Sequence, residues 1–261
     1  MRYHFCTMNM QLPLSARARS LSDWYLRPLG RQLADAETSA LAAQVTNLFG
    51  YHMVVVDPPW EDCRLDDSRI AHRVVQRVAN ETLVQAGLMA DTENWPIMTD
   101  SVDAVVLPHT LELAHDPHQV LREADRCLVP DGHIVIIGFN PRSLWGIRRV
   151  LARRRGGMPW DTRFQGMGRV KDWLALLGFD TLHSHFLFQR PPLQSERILG
   201  RLRFMEPANG IGLMLLSAAY ILVARKRTVI LTPLRATQRA KPRLFPVGIP
   251  SSSQGNVRRS N

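Results

Sequence analysis

Residues Ser101 to Asn140, "SVDAVVLPHTLELAHDPHQVLREADRCLVPDGHIVIIGFN", decide the fold. Ala104 to Leu107 is a short apolar run, as expected of a strand buried on both faces. Pro108, with no N–H to give a ladder, ends it. In "HDPHQVLREADRCLVPDG", Asp116 is the expected N-cap and Pro117 the first helical residue. Val120, Leu121, Ala124 and Leu128 share one helical face, and Pro130 is the stop. "HIVIIGFN" is the next strand. Strand, helix and strand, joined by tight turns at Pro108 and Asp131-Gly132, form a βαβ unit and predict an α/β protein with a parallel sheet.

Upstream, Met53 to Val56 is a second buried strand, closed by Asp57, Pro58 and Pro59. Apolar spacing from Trp24 to Phe49 predicts two helices leading into it, with Gly50 as the stop. After it come a helix-like stretch around Asp67 to His72 and strand candidates at Val74 to Val78 and Thr82 to Leu88. Downstream, "SLWGIRRVLARRRGG" reads as a helix. "RVKDWLALLGFDTLHSHFLF" reads as a helix closed by Gly178 and then a strand, and the run ending "AAYILVARKR" as the last strand. The apolar stretch Ile211 to Ala224 is too short for the ~20 residues of a membrane-spanning helix.

The 261 residues, 45% hydrophobic and 21% charged, suit one globular domain. The expected division is a flexible N-terminal segment at 1–20, the domain at 21–232, and a basic tail without fixed structure at 233–261. The net charge of +10 is mostly the tail's: nine Lys/Arg lie beyond Glu206, leaving 24 basic against 23 acidic residues before it. Within the body the basic excess is one cluster, Arg148, Arg149, Arg153, Arg154 and Arg155. It and the tail are the candidate contacts for nucleic acid. Cys6, Cys63 and Cys127 show no zinc or disulfide spacing, so no metal and a reducing, cytoplasmic compartment are expected. The first twenty residues lack the continuous apolar core of a secretory signal.

In open parallel sheets ligands sit outside the C-terminal strand ends. The residues to weigh are therefore Asp57 to Trp60, Asp91 to Trp95, Pro108 to Glu112, and Phe139 to Asn140. The block "ADTENWPIMTDSVDAVVLPHTLELAHDPHQVLREADRCLVPDGHIVIIGFNPRSLWG" resembles the class I S-adenosylmethionine-dependent methyltransferases of the type 11 group, over roughly Trp24 to Lys226. The resemblance implies a Rossmann-like α/β fold: a mostly parallel seven-stranded sheet, an antiparallel C-terminal hairpin, and helices on both faces. It implies S-adenosylmethionine as cofactor, with Asp91 and Thr92 on the adenine side and Pro108 and His109 lining the cofactor. Asp57 and Pro58 stand in the loop after the first strand.

"DPPW", Asp57 to Trp60, also spells the signature of adenine amino-methyltransferases. There that element follows the fourth strand and precedes the helix and fifth strand. Here that continuation follows Pro108 instead, so Asp57 to Trp60 stands where the type 11 group has its glycine-rich cofactor loop. Glycines let backbone N–H groups approach a ligand closely. Pro58 and Pro59 have no N–H, and Asp57 attracts an ammonium or sulfonium while repelling a carboxylate. The acidic residue that the resemblance implies after the second strand has only Glu81 as a candidate.

The implied reaction is direct displacement of the sulfonium methyl onto an unidentified acceptor, which needs positioning and at most one general base. His109 and Glu112 are the candidate bases. The alternative is a catalytically inactive methyltransferase-like protein that binds RNA or an acidic protein partner. The Gly146 to Val170 segment is the place for a substrate lid, which Trp145, Trp160 and Phe164 would line; the alternative, local core, is the preferred reading of the three.

Overall fold

The computed structural model describes residues 13–60, 62–63, 65–66, 68–78, 87–152, 157–192 and 215–227. Two helices come first, α1 (Leu14–Tyr25) and α2 (Pro28–Val45). Then follow β1 (His52–Val56), β2 (His72–Arg77), β3 (Leu88–Met89), β4 (Val102–Pro108), α3 (Thr110–Leu113), α4 (Pro117–Cys127) and β5 (Leu128–Phe139). The chain closes with α5 (Leu144–Ala152), α6 (Met167–Leu176), β6 (Phe179–Leu187) and β7 (Ala219–Lys226).

The strands form one seven-stranded sheet in the order β3-β2-β1-β4-β5-β7-β6. β1 pairs in parallel with both β2 and β4, and β4 with β5, whereas β7 runs antiparallel to β5 and β6. The expected Rossmann-like architecture with its antiparallel C-terminal hairpin is present. Strand order reverses between β1 and β4, so the fold opens its ligand crevice there.

Alternation along the central strands explains why both faces are covered. Met53 and Val55 of β1 and Ala104 and Val106 of β4 join one core with Leu21, Trp24, Leu33 and Leu41 of α1 and α2. Val54, Val56, Val105 and Leu107 join another with Val120, Leu121 and Ala124 of α4 and Val170 and Leu174 of α6. Asp116 caps α4 as expected, its carboxylate accepting from the N–H groups of His118 and Gln119 at 2.9 and 3.3 Å. Such a cap contributes about 1 kcal/mol.

Three readings change. Of the helix expected around Asp67 to His72, the described residues 68–71 form no helix and lead into β2, which starts at His72, paired with His52 of β1. Helix α1 begins at Leu14, inside the segment expected to be flexible, and buries Arg17 and Leu21. Of the strand candidate Thr82 to Leu88, only Gly87 and Leu88 are described, and Leu88 opens β3. Glu81, Arg153, Arg154, Arg155, Cys6 and the 233–261 tail lie outside the described residues. From Ile211 to Ala224, Ala219 onward is strand β7, and among the described residues no helix is long and apolar enough to cross a membrane.

Candidate functional site

The loop after β1 opens with Asp57 in the left-handed region, φ 47°. Its N–H donates to Gln76 O at 2.7 Å, which ties the loop to β2. The carboxylate lies 4.0 Å from Arg77 Nη1, and Arg77 also donates to the Pro58 carbonyl. Burial pushes the Asp57 carboxyl up to about 6, against the opposing pull of the Arg77 guanidinium and the Val78 backbone N–H. Trp60 turns inward and meets Tyr25 edge to face at 5.7 Å. A cavity of about 510 Å³ lies here, walled by Ala18, Ser22 and Tyr25 of α1, Ala34 and Thr38 of α2, Asp57, Pro59 and Trp60 of the loop, and Arg77 at the end of β2.

The loop after β4 starts with the same backbone device. His109 has φ 55° and its N–H donates to Ile137 O at 2.8 Å. Its side chain, however, is sealed inside the protein. His109 Nδ1 sits 2.9 Å from Glu112 Oε2, and Nε2 sits 3.0 Å from Glu37 Oε1 and 2.8 Å from the Tyr25 hydroxyl. The Tyr25 hydroxyl donates to Glu37 Oε2 at 2.8 Å, and Glu112 Oε1 accepts the Phe139 N–H at 2.5 Å. Burial alone would lower the His109 pKa, but the flanking Glu37 and Glu112 carboxylates outweigh it and hold the imidazolium up to about 10. Burial raises the Glu112 carboxyl, with His109 and the Phe139 N–H acting the other way. Arg17 closes the floor by donating to the Leu113 carbonyl at 2.5 Å and the Glu112 carbonyl at 3.4 Å.

The predicted residues therefore divide. Asp57 lines the cavity, whereas Pro58, Asp91, Thr92, Pro108, His109 and Glu112 do not. Neither candidate base, His109 or Glu112, is more than 1% exposed, and each spends its polar atoms on the other members of a buried charge network. Asp91 is exposed, and its side chain accepts from the Glu93 N–H at 3.2 Å. Gln76 Nε2 donates to the Asp91 carbonyl at 3.1 Å. Gln76 Oε1 and Thr92 Oγ1 are buried without a hydrogen-bond partner among the described residues.

Trp145 is core at 0% exposure, and Phe164 stacks on Phe139 at 4.8 Å. Trp160 contacts Trp145 and lines a second cavity beside α5. Of the arginine cluster, Arg148 lies over Trp160 and Arg149 over Phe164. Tyr25, Glu37 and Arg77 are the site residues that the sequence did not single out. Among the described residues no group of three or more His, Cys, Asp or Glu is arranged to hold a metal ion.

Comparison with known proteins gives the class. A family model described as "Methyltransferase domain" matches residues 39–136. The uncharacterized protein YafS of Escherichia coli K12 is 33% identical over 224 residues, covering 85% of this chain and 88% of that protein. A Thermotoga maritima structure, described as a SAM-dependent methyltransferase and possible histamine N-methyltransferase, superposes with TM-score 0.60 at 18% identity, over 82% of this chain and 98% of that one. The [4+2]-cyclase SpnF superposes with TM-score 0.54 at 16% identity, over 82% and 95%.

The chain belongs to the S-adenosylmethionine-dependent methyltransferase family of type 11, and S-adenosylmethionine is the cofactor that membership implies. The cavity suits that molecule in position, at the strand ends beside the switch point, and in size. Gln76 Oε1 and Thr92 Oγ1, buried and unpartnered, do not line this cavity, although each such group costs about 1–3 kcal/mol. One contact departs from the pattern. Where doubly wound folds place an acidic residue for the ribose hydroxyls, β2 ends in Arg77, and that arginine is committed to Pro58 and Asp57.

Proposed function

We propose that the protein is a methyltransferase that holds S-adenosylmethionine in the cavity beside Asp57 and Trp60 and transfers the methyl group to an unidentified acceptor. The supporting observation is the cavity of about 510 Å³ at the C-terminal ends of β1 and β2, with the buried Asp57 carboxylate in its wall. Bound there, the cofactor supplies an electrophilic methyl group. Asp57 offers a negative charge to the cationic part of the ligand, and binding a cation beside it draws its pKa down from about 6. Trp60 and Tyr25 offer aromatic surface to a cation or an adenine ring. Asp91 and Thr92 are assigned to the adenine side, with the Thr92 hydroxyl as the group in need of a partner.

His109 and Glu112 serve in this reading as positioning residues. Glu112 holds His109, which holds the Tyr25 hydroxyl and through it the wall of the cavity, and the transfer proceeds by approximation of the reactants. A second reading, a protein that binds the nucleoside without transferring the methyl, draws on the same sealed pair and on the two prolines that remove N–H donors from the loop. The fold allows either, because function lives in the site and not in the scaffold.

Calorimetric titration with S-adenosylmethionine and S-adenosylhomocysteine tests the pocket. A dissociation constant on the order of micromolar, weakened at least about tenfold by Asp57→Ala and by Trp60→Ala, is expected. No heat and no thermal stabilisation at millimolar ligand sinks the assignment. Release of S-adenosylhomocysteine from labelled cofactor during incubation with a cell extract favours transfer, and binding without it favours the second reading.

A further inference from the structure

The loop after β1 leaves an anion no donor between Asp57 and Pro59. Pro58 and Pro59 have no N–H, and the Asp57 N–H is taken by Gln76 O at 2.7 Å. Doubly wound folds meet the anionic group of a ligand with backbone N–H groups of this turn. Here a carboxylate placed against the turn meets the buried Asp57 carboxylate instead. S-adenosylmethionine carries one carboxylate beside its ammonium and sulfonium groups, so a cavity that holds it has to supply a cation from another element.

Three guanidiniums line the cavity, those of Arg19 on α1, Arg31 on α2 and Arg77 on β2. Arg77 is bound to the loop itself, through the Pro58 carbonyl and the Asp57 carboxylate at 4.0 Å. Arg19 has an interaction of its own. Arg31 is exposed, and among the described residues its side chain has no hydrogen bond, ion pair or ring contact. The backbone places it there. Pro28 opens α2, and Gly30 lets that first turn close on the end of α1, since a Cβ on Gly30 would stand 2.4 Å from the Trp24 carbonyl oxygen and 2.6 Å from Tyr25 Cα. Asp23 and Leu26, at the end of α1, line the same cavity. Arg31 therefore belongs to the α1–α2 corner of the cavity, and Asp57 and Arg77 to its strand end. The wall as a whole carries four carboxylates, Asp23, Asp35, Asp57 and Asp62, against the three guanidiniums, and this excess of one negative charge complements a ligand with two cationic groups and one anionic.

We infer that Arg31 holds the carboxylate of the cofactor's amino-acid end, so that the first turn of α2 replaces the turn after β1 as the anion contact of the site. A guanidinium matches a carboxylate with two parallel N–H···O bonds, which takes over the task of the missing backbone donors. Asp57 is then left to the ammonium and sulfonium, free of carboxylate repulsion. The inference rests on the reading of this cavity as the cofactor site.

The test is a cycle with one change in the protein and the other in the ligand. The full chain, as wild type, Arg31→Gln and Arg31→Lys, is titrated calorimetrically with S-adenosylmethionine and with its decarboxylated form, which lacks only the carboxylate. Wild type should bind the decarboxylated form about tenfold or more weakly than the complete cofactor. Arg31→Gln should lose about tenfold or more in affinity for S-adenosylmethionine and less than about twofold for the decarboxylated form. Arg31→Lys should recover part of the loss, because it keeps the charge without the two-bond geometry. Thermal unfolding should be unchanged in both variants, since the side chain has no partner to lose. Equal losses for the two ligands, or no loss for either, overturn the inference and leave the pocket assignment standing, because the wild type still binds. No binding of either ligand by the wild type removes the pocket assignment and this inference with it.

Discussion

The loops after β1 and β4 begin alike and end differently. Each starts with a non-glycine residue in the left-handed region, Asp57 at φ 47° and His109 at φ 55°, and each turns an ionisable side chain inward. Asp57 meets one guanidinium at 4.0 Å and a cavity. His109 meets two carboxylates within 3.0 Å, a tyrosine hydroxyl and no open space. Strained backbone at a strand end thus marks a place where a side chain is aimed. What surrounds the aimed group decides whether it acts on a ligand or supports the fold. Here the histidine that sequence position favours as a base is sealed in a buried network, and the Asp57 carboxylate faces the cavity.

Removing the histidine should break that contrast most severely. His109→Ala leaves the buried Glu37 and Glu112 carboxylates without their shared cation, and breaking a buried charge pair this way costs about 3–5 kcal/mol. Urea denaturation at neutral pH should show a loss of that size, and a loss below about 1 kcal/mol would mean that the network is not charged. Because the His109 pKa is raised from 6.5 to about 10, its contribution is fully present below 6.5 and disappears as pH rises through 10. Wild type should therefore lose stability over that alkaline window, and a His109→Phe protein should lack that limb.

Asp57→Asn sharpens the other side of the comparison with the opposite sign. An acid raised from 3.8 to about 6 disfavours the folded state once ionised, so the cost develops as pH rises through that interval and persists above it. The substitution should stabilise the protein by up to roughly 3 kcal/mol at pH 8 and have little effect at pH 4. Denaturant midpoints at the two pH values measure it. The same substitution should weaken cofactor binding, giving a trade of stability against function that His109→Ala does not give. The smallest expected effect calibrates both. Asp116→Ala removes the α4 cap, distant in role from either loop, and should cost about 1 kcal/mol in denaturant unfolding.

The βαβ centre was legible because its signals agree. A β-branched run, a proline stop, an Asp-Pro start and a helical stripe point to one structure, and β4, α4 and β5 follow in that order, although α4 ends at Cys127 and Leu128, expected on its buried face, opens β5. The turn before β2 was misread because local propensity there is weak and pairing of His72 with His52 across 20 residues decides it. Helix α1 starts at Leu14, and its N-cap Pro13 offers no side-chain cap to mark the beginning. At the candidate site, the rule that ligands gather after strands singles out Asp57, which lines the cavity. The same rule reaches Arg77 at the end of β2, but a search for an acidic residue passes over it. Glu37 carried a readable signal as well: Leu33, Glu37, Leu41 and Val45 repeat every four residues along the buried stripe of α2, and a carboxylate on such a stripe requires an internal partner. Which partner it takes is a matter of packing between elements 72 residues apart, and no spacing encodes it.

The last described strand has a consequence for synthesis. β7 is inserted between β5 and β6, pairing with β5 from His133–Arg225 to Phe139–Ala219. A chain emerging from the ribosome completes β1, β2, β4 and β5 and still carries β5 with one side unpaired. Until Lys226 has left the exit tunnel, that edge is available to any neighbouring nascent chain, and the sheet cannot close. Translation speed over the stretch between β6 and β7 therefore sets how long the half-built protein is exposed to misassembly, and chaperone demand falls on that interval.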